Sequence, residues 1–348
     1  MAPDRNTIEA FVKLGKYLTD FCDKWYSDDP KVDEKLKEAV TLAGHHNGWF
    51  TEDNILFSLR QWGELLTTEN LNNWLSRYTF SKNSEPKTVG IVMAGNIPLV
   101  GFHDFLSVLL SGNKVLAKLS SNDKVLLPYL SKYLMAQESS LADKIEFVEG
   151  KLENFDAVIA TGSNNTSRYF EYYFGNKPNI IRKNRNSVAV LSGNESEEEL
   201  KVLGEDIFRY YGLGCRNVSK IYVPKDYNFD GLFNALFPYK DIINQHKYAN
   251  NYDYNKAVYL MSEFKILDNG FLILKEDESL TSPISALFYS YYDNESSLRE
   301  KLQEMEDQIQ CVVSSKAKEN EVNFGDTQKP SLNDYADGID TMEFLLKL

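Results

Sequence analysis

From residue 87 onward the sequence alternates short apolar stretches with amphipathic ones, and this alternation constrains the fold more than any other feature. "KTVGIVMAGN" is typical of a buried strand, "IPLVGFHDFLSVLLSGNK" of a helix, and "KVLAKLSS" of a second strand. A strand, a helix and a strand in succession favour parallel strands with a right-handed crossover. The pattern continues through "FDAVIATGSNNTSRYFEYYFG", "NIIRK" and "SVAVLSG". The sequence therefore predicts the α/β class with a doubly wound parallel sheet.

The predicted elements divide the chain of 348 residues into four parts. Residues 1–80 are predicted to be helical, because stretches such as "TIEAFVKLGKYLTDFCDKW" place apolar residues at helical spacing. Residues 81–193 form a first α/β domain and residues 194–320 a second one. Residues 321–348 form a tail that ends in "TMEFLLKL", which is too apolar to remain in solvent. We expect this end either to add as a strand to a second copy, giving a homodimer, or to pack on its own chain.

Charge and composition exclude several classes of protein. The formal net charge of -13 disfavours nonspecific nucleic-acid binding, which depends on clustered positive charge. No apolar run reaches the length of a membrane span, and the N-terminus lacks a signal-peptide pattern. Cys22, Cys215 and Cys311 are far apart, and the histidines lack metal-ligand spacing. We therefore expect no nucleic-acid partner, no metal site, and a reducing, cytoplasmic compartment.

Three polar stretches follow predicted strands, and they are "AGNIP", "KLSSN" and "ATGSNNTS". In open α/β sheets, ligands bind beyond the carboxyl ends of the strands. Gly162 and Ser163 precede a predicted helix, and the backbone N–H groups at a helix start suit a phosphate. The ordinary GxGxxG dinucleotide fingerprint is absent, so the alternative is an Asn/Ser-capped loop without a ligand.

Cys215 lies in "YYGLGCRNVSKIYVP", behind two glycines and directly before Arg216. Glycines allow the backbone to approach a ligand closely, and an arginine that faced the sulfur would favour the thiolate. An isolated cysteine is, however, more often a buried structural residue. The residues alone leave both interpretations of Cys215 open, whereas Cys22 and Cys311 lie in apolar runs typical of a core.

Five stretches occur together in an order typical of one enzyme family. They are "VMAGNIPLVGFHDFLSVLLSGNKVLAKLSSND", "ATGSNNTSRYF", "YYGLGCRNVSKIYVP", "LTSPIS" and "DYADGIDTMEFL". Over residues 45–348 the chain resembles the LuxC-like acyl-CoA (fatty acid) reductases of the aldehyde dehydrogenase superfamily. The resemblance implies a coenzyme-binding domain at 81–193, a catalytic domain at 194–320 and an oligomerisation arm at 321–348.

The resemblance also implies roles for individual residues. "AGNIPL" matches the block that supplies an oxyanion-hole amide, here Asn96, and "GLGC" matches the nucleophile loop, here Cys215. "VLAKLSS" and "ATGS" match blocks that contact the cofactor, with Lys118, Ser120, Ser121, Thr161, Gly162 and Ser163 as the implied contacts. Ser121 stands where NAD-preferring relatives often carry glutamate. A neutral side chain there removes repulsion against a 2′-phosphate, so NADPH (NADP) is the expected cofactor.

Two blocks depart from the family pattern. The block that carries a water-activating glutamate in hydrolytic relatives corresponds to "IRKNRNSVAV", which has no carboxylate and places Arg182 near that position. This absence suits a reductase, which must keep water from its thioester. The block that holds the nicotinamide ribose reads "DESLTSPIS", with Ser279 in the glutamate position and Glu278 beside it, and that contact stays open. The basic run of Arg182, Lys183 and Arg185 either meets ligand phosphates or is a solvated loop.

The resemblance implies NADPH-dependent reduction of an acyl-CoA, with a fatty acyl chain, to the aldehyde through an acyl-enzyme on Cys215. Such a reductase implies an acyl-activating or acyl-transferring enzyme as a partner. One alternative is reduction of an acyl phosphate or a carrier-protein thioester. Another is a Cys-dependent acyltransferase or thioesterase, for which His103 is the histidine closest to a matched block. The last alternative is a non-catalytic scaffold. Nucleotide binding would distinguish a reductase, which binds NADPH, from such a scaffold.

Overall fold

The computed structural model describes residues 4–80 and 85–348, and it divides into two compact units. The first unit comprises the chain up to Lys183 together with Ser331–Leu348, and the second comprises Asn184–Pro330. The predicted helical segment at 1–80 therefore belongs to the same unit as the first sheet, and so does most of the tail.

Helices and strands alternate through most of the described chain. In chain order the helices are α1 (Arg5–Tyr26), α2 (Glu34–His46), α3 (Glu52–Leu65), α4 (Thr68–Leu75), α5 (Phe102–Leu110), α6 (Leu126–Gln137), α7 (Asn164–Phe174), α8 (Glu197–Phe208), α9 (Phe229–Leu236), α10 (His246–Met261), α11 (Glu295–Glu304) and α12 (Thr341–Leu346). The strands are β1 (Thr88–Val92), β2 (Lys114–Lys118), β3 (Ile145–Phe147), β4 (Ala157–Thr161), β5 (Asn179–Arg182), β6 (Asn186–Val190), β7 (Val218–Pro224), β8 (Ile266–Asp268), β9 (Ile273–Glu276), β10 (Ala286–Tyr292), β11 (Ile309–Ser314) and β12 (Val322–Asn323).

The first unit is built on a parallel sheet with the strand order β3-β2-β1-β4-β5. The order reverses beside β1, because the chain winds outward through β2 and β3 and then returns to place β4 on the other side. The central strands are buried along most of their length, as expected when helices cover both faces of a parallel sheet. The predicted doubly wound α/β fold is confirmed.

The helices at the start of the chain cover this sheet because they are amphipathic. Asp4 and Asp33 cap α1 and α2, and their carboxylates accept hydrogen bonds from backbone N–H groups of the first turn. The apolar faces join a single core, whose fully buried members include Phe11, Leu14, Leu18, Leu36, Ile55, Leu59 and Trp74. Gly15 and Gly63 permit the close crossing of α1 and α3, since a Cβ on Gly15 would lie 2.5 Å from the carbonyl oxygen of Leu66.

A buried ion pair joins the last strand of the first sheet to α5. Arg182 at the end of β5 donates to both carboxylate oxygens of Asp104, with Nη2···Oδ1 at 2.8 Å. The same guanidinium donates to the Thr341 hydroxyl of α12 at 2.9 Å. Arg182 and Asp104 are 5% and 3% exposed, so this pair is withdrawn from solvent.

The C-terminal segment corrects the prediction of an added strand. Residues 341–346 form α12, whose Met342 and Leu345 are buried in the core of the first unit. Asn113 donates a side-chain hydrogen bond to the Leu345 carbonyl at 3.3 Å, and Trp74 donates to the Tyr335 hydroxyl at 2.7 Å. The apolar residues are therefore buried on their own chain, which was the alternative to strand addition. An oligomerisation role for residues 321–348 stays a prediction.

The second unit contains a sheet with the order β12-β11-β6-β7-β10-β9-β8. All its neighbouring strands are parallel except β8 and β9, which are antiparallel. Its core is formed by α8, α9 and the apolar residues of the central strands, and these include Leu203, Ile221, Val223, Leu232, Leu274 and Leu287. The second α/β domain predicted at 194–320 lies within this unit, which spans Asn184–Pro330.

None of the helices within residues 4–80 and 85–348 has both the length and the apolar character needed to cross a membrane.

Candidate active site

Three of the predicted ligand-binding stretches meet at one edge of the first sheet. In the strand register, Val92 at the end of β1 lies opposite both Lys118 of β2 and Ala160 of β4. The loops that follow these strands therefore leave the sheet at the same level. This edge includes the point where the strand order reverses, which is where open α/β sheets bind their ligands.

Two glycines allow these loops to pack closely. A Cβ on Gly95 would lie 2.5 Å from Ser120 Oγ, so only glycine lets the loop after β1 contact the loop after β2. A Cβ on Gly162 would lie 2.9 Å from the ring of Phe170, so glycine also allows the tight turn into α7. Both glycines therefore fix the course of the loops along the edge of the sheet.

The side chains on this edge differ in their exposure and in their hydrogen bonds within the unit. Ser120 accepts a hydrogen bond from the Asn122 N–H at 3.2 Å and is half-buried, whereas Ser121 is exposed. Ser163 caps α7 by accepting from the Thr166 N–H at 3.2 Å. Lys118 and Thr161 are half-buried at the ends of β2 and β4. The edge thus combines a cation, hydroxyls and a helix start, which suits an anionic dinucleotide.

Asn96 is exposed on a turn that a buried carboxylate holds in place. Leu99 in this turn has a φ of 58°, in the left-handed region that side chains other than glycine rarely adopt. The Leu99 N–H donates to Asp123 Oδ2 at 2.9 Å, and the Asp123 N–H donates to the Ser120 carbonyl at 3.1 Å. Asp123 therefore joins the turn that carries Asn96 to the loop that carries Ser120.

Burial raises the pKa of the Asp123 carboxyl to about 6, although the Leu99 N–H counteracts part of this rise. Asp123 is 8% exposed, and its Oδ1 has no hydrogen-bond partner among the described residues. A raised folded-state pKa means that the folded protein binds this proton more tightly than the unfolded chain does. Stability from this group is therefore present below about pH 4 and is lost as the pH rises to about 6.

We predict that Asp123→Asn removes this loss of stability. The asparagine oxygen can still accept from the Leu99 N–H, but it carries no charge to desolvate. Between pH 4 and pH 7 the free energy of unfolding of the variant should rise relative to wild type by up to about 3 kcal/mol. Urea unfolding at several pH values measures this difference, with the exposed Asp253→Asn as a control for the loss of one charge. Parallel pH profiles for wild type and Asp123→Asn would contradict the prediction.

Cys215 belongs to the second unit, where it lies exposed on a tight turn before β7. The Asn217 N–H donates to the Gly214 carbonyl at 3.0 Å, and the Asn217 side chain accepts from the Gly214 N–H at 2.8 Å. Its amide also donates to the carbonyls of Asp206 and Arg209 at 3.0 and 2.8 Å. Ser187 donates to the Cys215 carbonyl at 3.0 Å. The backbone is thus fixed while Cys215 is exposed, which favours a nucleophile over a buried structural cysteine.

The residues before Cys215 adopt an unusual backbone conformation. Tyr210, Tyr211 and Gly212 all have positive φ angles, of 55°, 59° and 76°. Two consecutive residues other than glycine in this region are strained, and such strain is often found at functional sites. Gly212 is therefore needed for its positive φ angle, whereas the motif predicted that its glycines allow close approach to a ligand.

The Arg216 guanidinium contacts a buried sulfur of the second unit. Its Nη1 lies 3.4 Å from the sulfur of Cys311 on β11, and Cys311 is buried. Cys22 is also buried, and burial raises the pKa of its thiol to about 11. Both cysteines predicted to be core residues are therefore in cores, and Cys215 is the exposed one of the three.

The basic run at 182–185 is engaged within the protein. Arg182 forms the buried pair with Asp104, so the interpretation that it binds ligand phosphates is wrong. Lys183 pairs with Glu171 at 2.9 Å on the surface of the first unit. Arg185 donates to the carbonyls of Glu306 and Ile309 in the second unit. These contacts explain the three charges without a ligand.

His103 is held in the core of the first unit. Its ring packs against Trp62, Trp74 and Tyr335, and its Nε2 lies 3.1 Å from the Leu332 carbonyl oxygen. This environment gives the histidine a structural role, so the predicted base of an acyltransferase or thioesterase loses its support.

The stretch matched to the nicotinamide-ribose block follows β9. Glu278 is exposed, accepts from Ser290 Oγ at 3.2 Å and pairs with Lys301 at 3.3 Å, while Ser279 is exposed beside it. Nearby, Lys220 of β7 is fully buried and donates to the Asp277 carbonyl at 2.5 Å. Burial lowers the pKa of the Lys220 ammonium to about 8. The exposed Glu278 can serve either this ion pair or a ligand.

Sequence reasoning missed the residues that hold the two functional turns, namely Asp123, Ser187 and Asn217. Asp123 and Asn217 lie within stretches matched to the family, two or three residues from a predicted site residue. Their burial is the missing information, because polar side chains in loops are ordinarily exposed. A buried polar side chain that bonds to backbone groups is a typical means of fixing a loop.

Comparison with known proteins agrees with this geometry. The model of a protein family described as acyl-CoA reductase (LuxC) matches residues 9–231, which is more than half of the chain. A search of curated proteins finds no match.

Solved structures of aldehyde dehydrogenases share the fold. Aldehyde dehydrogenase 21 from Physcomitrella patens, in complex with the reaction product succinate, is 11% identical with a TM-score of 0.65, and the alignment covers 98% of this chain and 87% of that one. The Mycobacterium tuberculosis enzyme complexed with NAD+ is 13% identical with a TM-score of 0.61, covering 90% and 74%. The Bacillus cereus enzyme with NAD+ is 14% identical with a TM-score of 0.60, covering 88% and 71%. At these identities the similarity shows the fold alone.

Proposed function

The chain belongs to the acyl-CoA reductase (LuxC) family, and from this we propose that it reduces an acyl-CoA thioester, with a fatty acyl chain, to the aldehyde with NADPH. The family and the fold together make the protein an aldehyde-forming oxidoreductase. The observation that carries the finer proposal is the exposed thiol of Cys215 on a turn whose backbone is fixed by Asn217.

In this proposal the Cys215 thiolate attacks the carbonyl carbon of the thioester. A bond forms between the sulfur and that carbon, and CoA leaves as its thiolate, so that one thioester replaces another. The fixed turn supports this role, because a nucleophile on a rigid backbone reaches the carbonyl without an added ordering cost. The resemblance assigns Asn96 as a donor to the carbonyl oxygen while it carries negative charge, a contribution typically of about 10²–10³ in rate.

The region that carries a water-activating glutamate in hydrolytic relatives supports a reductase. In this chain it holds Arg182, which is buried and paired with Asp104. A guanidinium cannot accept a proton from water, so this residue cannot act as the base that would hydrolyse the acyl-enzyme. The acyl group on Cys215 would then persist until it is reduced and released as the aldehyde.

A nicotinamide dinucleotide is the cofactor that the family and its NAD+-bound structural neighbours support. The close loop contacts at Gly95 and Gly162 and the start of α7 fit such a ligand on the edge of the first sheet. Lys118, Ser121, Thr161 and Ser163 would hold it there, with Ser120 fixing the loop between them. When bound, the cofactor would supply the hydride for reduction of the acyl group.

We propose NADPH over NADH because Ser121 is neutral and exposed beside Lys118. Ser121→Glu should lower the preference for NADPH, since a carboxylate would repel the 2′-phosphate and accept from ribose hydroxyls. We expect the ratio of kcat/KM for NADPH to that for NADH to fall by at least about tenfold, the equivalent of one weak charge interaction. Ser163→Ala, which removes a hydroxyl from another loop, serves as the control. An unchanged ratio in Ser121→Glu would place recognition of the 2′-phosphate elsewhere.

The proposed function is tested by following NADPH consumption with a panel of acyl-CoAs and detecting the aldehyde product. Acyl phosphates and carrier-protein thioesters belong in the same panel, because they would also acylate Cys215. Consumption with acyl phosphates alone would replace the proposed substrate by this alternative. Absence of nucleotide binding would reject the reductases altogether. A homodimer, a cytoplasmic location and an acyl-activating or acyl-transferring partner enzyme stay predictions that this assay does not address.

A further inference from the structure

A basic groove lies on the first unit between α2 and the start of α6. Its volume is about 500 Å³, within the range of small-molecule sites. Four of its lining side chains are basic, namely Lys35, His46, Lys124 and Lys132, and the lining carboxylate is Glu38. The chain carries 51 acidic against 38 basic residues, so this concentration of positive charge opposes the overall balance. Such a groove attracts an anionic ligand.

The lysines of the groove carry charges that no neighbouring carboxylate in the described part of the chain neutralises. Among the described residues, Lys35, Lys124 and Lys132 have no carboxylate within ion-pair distance. Lys24, Lys37 and Lys347, by contrast, pair with Asp20, Glu34 and Glu343. Asp33 is close to the groove, but its carboxylate caps α2 by accepting from the N–H groups of Lys35 and Leu36. The three lysines therefore keep their charge available for a ligand.

The remainder of the groove is apolar. Its lining there consists of Ala39, Leu42, Val125, Pro128 and Tyr129. Leu42 is 47% exposed, which is unusual for a leucine on a helix that otherwise buries its apolar face. Lysines beside an exposed apolar surface match a ligand that combines phosphates with a flat base, since lysine binds phosphate as a point charge. A free inorganic anion would make no use of the apolar part.

The groove shares one loop with the candidate cofactor edge. Lys124 is three residues beyond Ser121, on the same loop that leaves β2, and Val125 precedes the first residue of α6. The backbone of this loop is fixed by Asp123 through its bonds to Leu99 and Ser120. Lys124 therefore links the groove to the loop that carries Ser121.

We infer that this groove binds the phosphorylated adenosine of a nucleotide ligand, with Lys35, Lys124 and Lys132 on the phosphates and Leu42 and Pro128 against the base. Under the proposed function, on which the identity of the ligand rests, this chemistry has two sources. CoA carries a 3′-phosphoadenosine and NADPH a 2′-phosphoadenosine. The groove extends the predicted site beyond Lys118 and Ser121 to residues that no family block indicated.

Calorimetric titration with adenosine 3′,5′-bisphosphate and with adenosine 2′,5′-bisphosphate tests this inference on the full chain without any turnover. The test variant is Lys35→Gln/Lys124→Gln/Lys132→Gln. The matched control, Lys24→Gln/Lys37→Gln/Lys347→Gln, removes the same number of charges from paired lysines of the same unit. We expect the Kd of at least one bisphosphate to rise about tenfold or more in the test variant and less than about twofold in the control. Circular dichroism checks that both variants are folded.

The two ligands separate the sources. A higher Kd of the test variant for the 3′,5′-bisphosphate assigns the groove to CoA. A higher Kd for the 2′,5′-bisphosphate assigns it to NADPH. Unchanged affinities, an equal loss in the control, or no binding to wild type at millimolar concentration would overturn the inference. Failure of the proposed function has a different signature, because acyl labelling of Cys215 would be absent while the bisphosphates still bound.

Discussion

Replacing Cys215 with alanine is expected to abolish aldehyde formation while nucleotide binding persists. Alanine cannot form a thioester, so no acyl-enzyme can accumulate for reduction. Because the thiol is exposed and its backbone is held by Ser187 and Asn217, the substitution removes a reactive group without opening a core. We expect the rate to fall by about 10³-fold or more, as for removal of a nucleophile elsewhere. NADPH consumption, acyl labelling from a labelled acyl-CoA and NADPH fluorescence measure the three properties separately.

The other two cysteines are the controls for this experiment. Cys22→Ala and Cys311→Ala remove buried thiols, so they should lower stability and keep the specific activity of the folded protein. Cys311 is the more demanding control, because its sulfur contacts Arg216 next to the nucleophile. A hydroxylamine-sensitive acyl adduct that still formed on Cys215→Ala would show that another residue is the nucleophile.

Arg182→Met is expected to cost the protein about 3–5 kcal/mol of unfolding free energy, the typical result of breaking a buried pair by removing one partner. The substitution leaves the Asp104 carboxylate buried without its two guanidinium donors. It also removes the bond to Thr341, which holds α12 to the first unit. Urea unfolding measures the change, and nucleotide binding under native conditions checks that the remaining folded protein is intact.

Two variants test the cause of this loss. Lys183 is the residue after Arg182, and Lys183→Met breaks its exposed ion pair with Glu171. This variant should lose at most about 1 kcal/mol of unfolding free energy. Arg182→Met/Asp104→Leu removes both buried charges, and it should regain a large part of the loss because no carboxylate is left unpaired. A single Arg182→Met variant within about 1 kcal/mol of wild type would mean that water reaches Asp104.

The class of fold could be predicted because it depends on periodicity, which every strand and helix of the alternating region expresses locally. β1, α5 and β2 show this, since their lengths and their order are enough to require a parallel pair with a crossover. The gathering of Asn96, Lys118 and Thr161 at one edge followed from the same argument, because parallel strands end on the same side. Their roles came from a family resemblance and not from periodicity.

Side-chain partners could not be predicted in the same way, because they depend on contacts between distant parts of the chain. Arg216 follows Cys215 in the sequence, yet its guanidinium contacts Cys311 of β11. Arg182 appears beside two other basic residues, yet Asp104 withdraws it from solvent. The prediction that the C-terminal segment forms a strand was wrong for a related reason. Its apolar residues fit a strand or a helix equally well, and the core beside α5 selected a helix.

The order in which the two units appear along the chain has a consequence for folding during translation. The second unit is one continuous segment, so it can fold as soon as its own residues have left the ribosome. The first unit is completed only by residues that are synthesised after that whole segment, including Thr341 of α12 and Tyr335, whose hydroxyl accepts from Trp74. Until then, the newly made α5 and β5 expose the surface that α12 covers, and Arg182 lacks its bond to the Thr341 hydroxyl. The growing chain therefore presents an unfinished first unit throughout synthesis of the second, and chaperones have that interval in which to bind it.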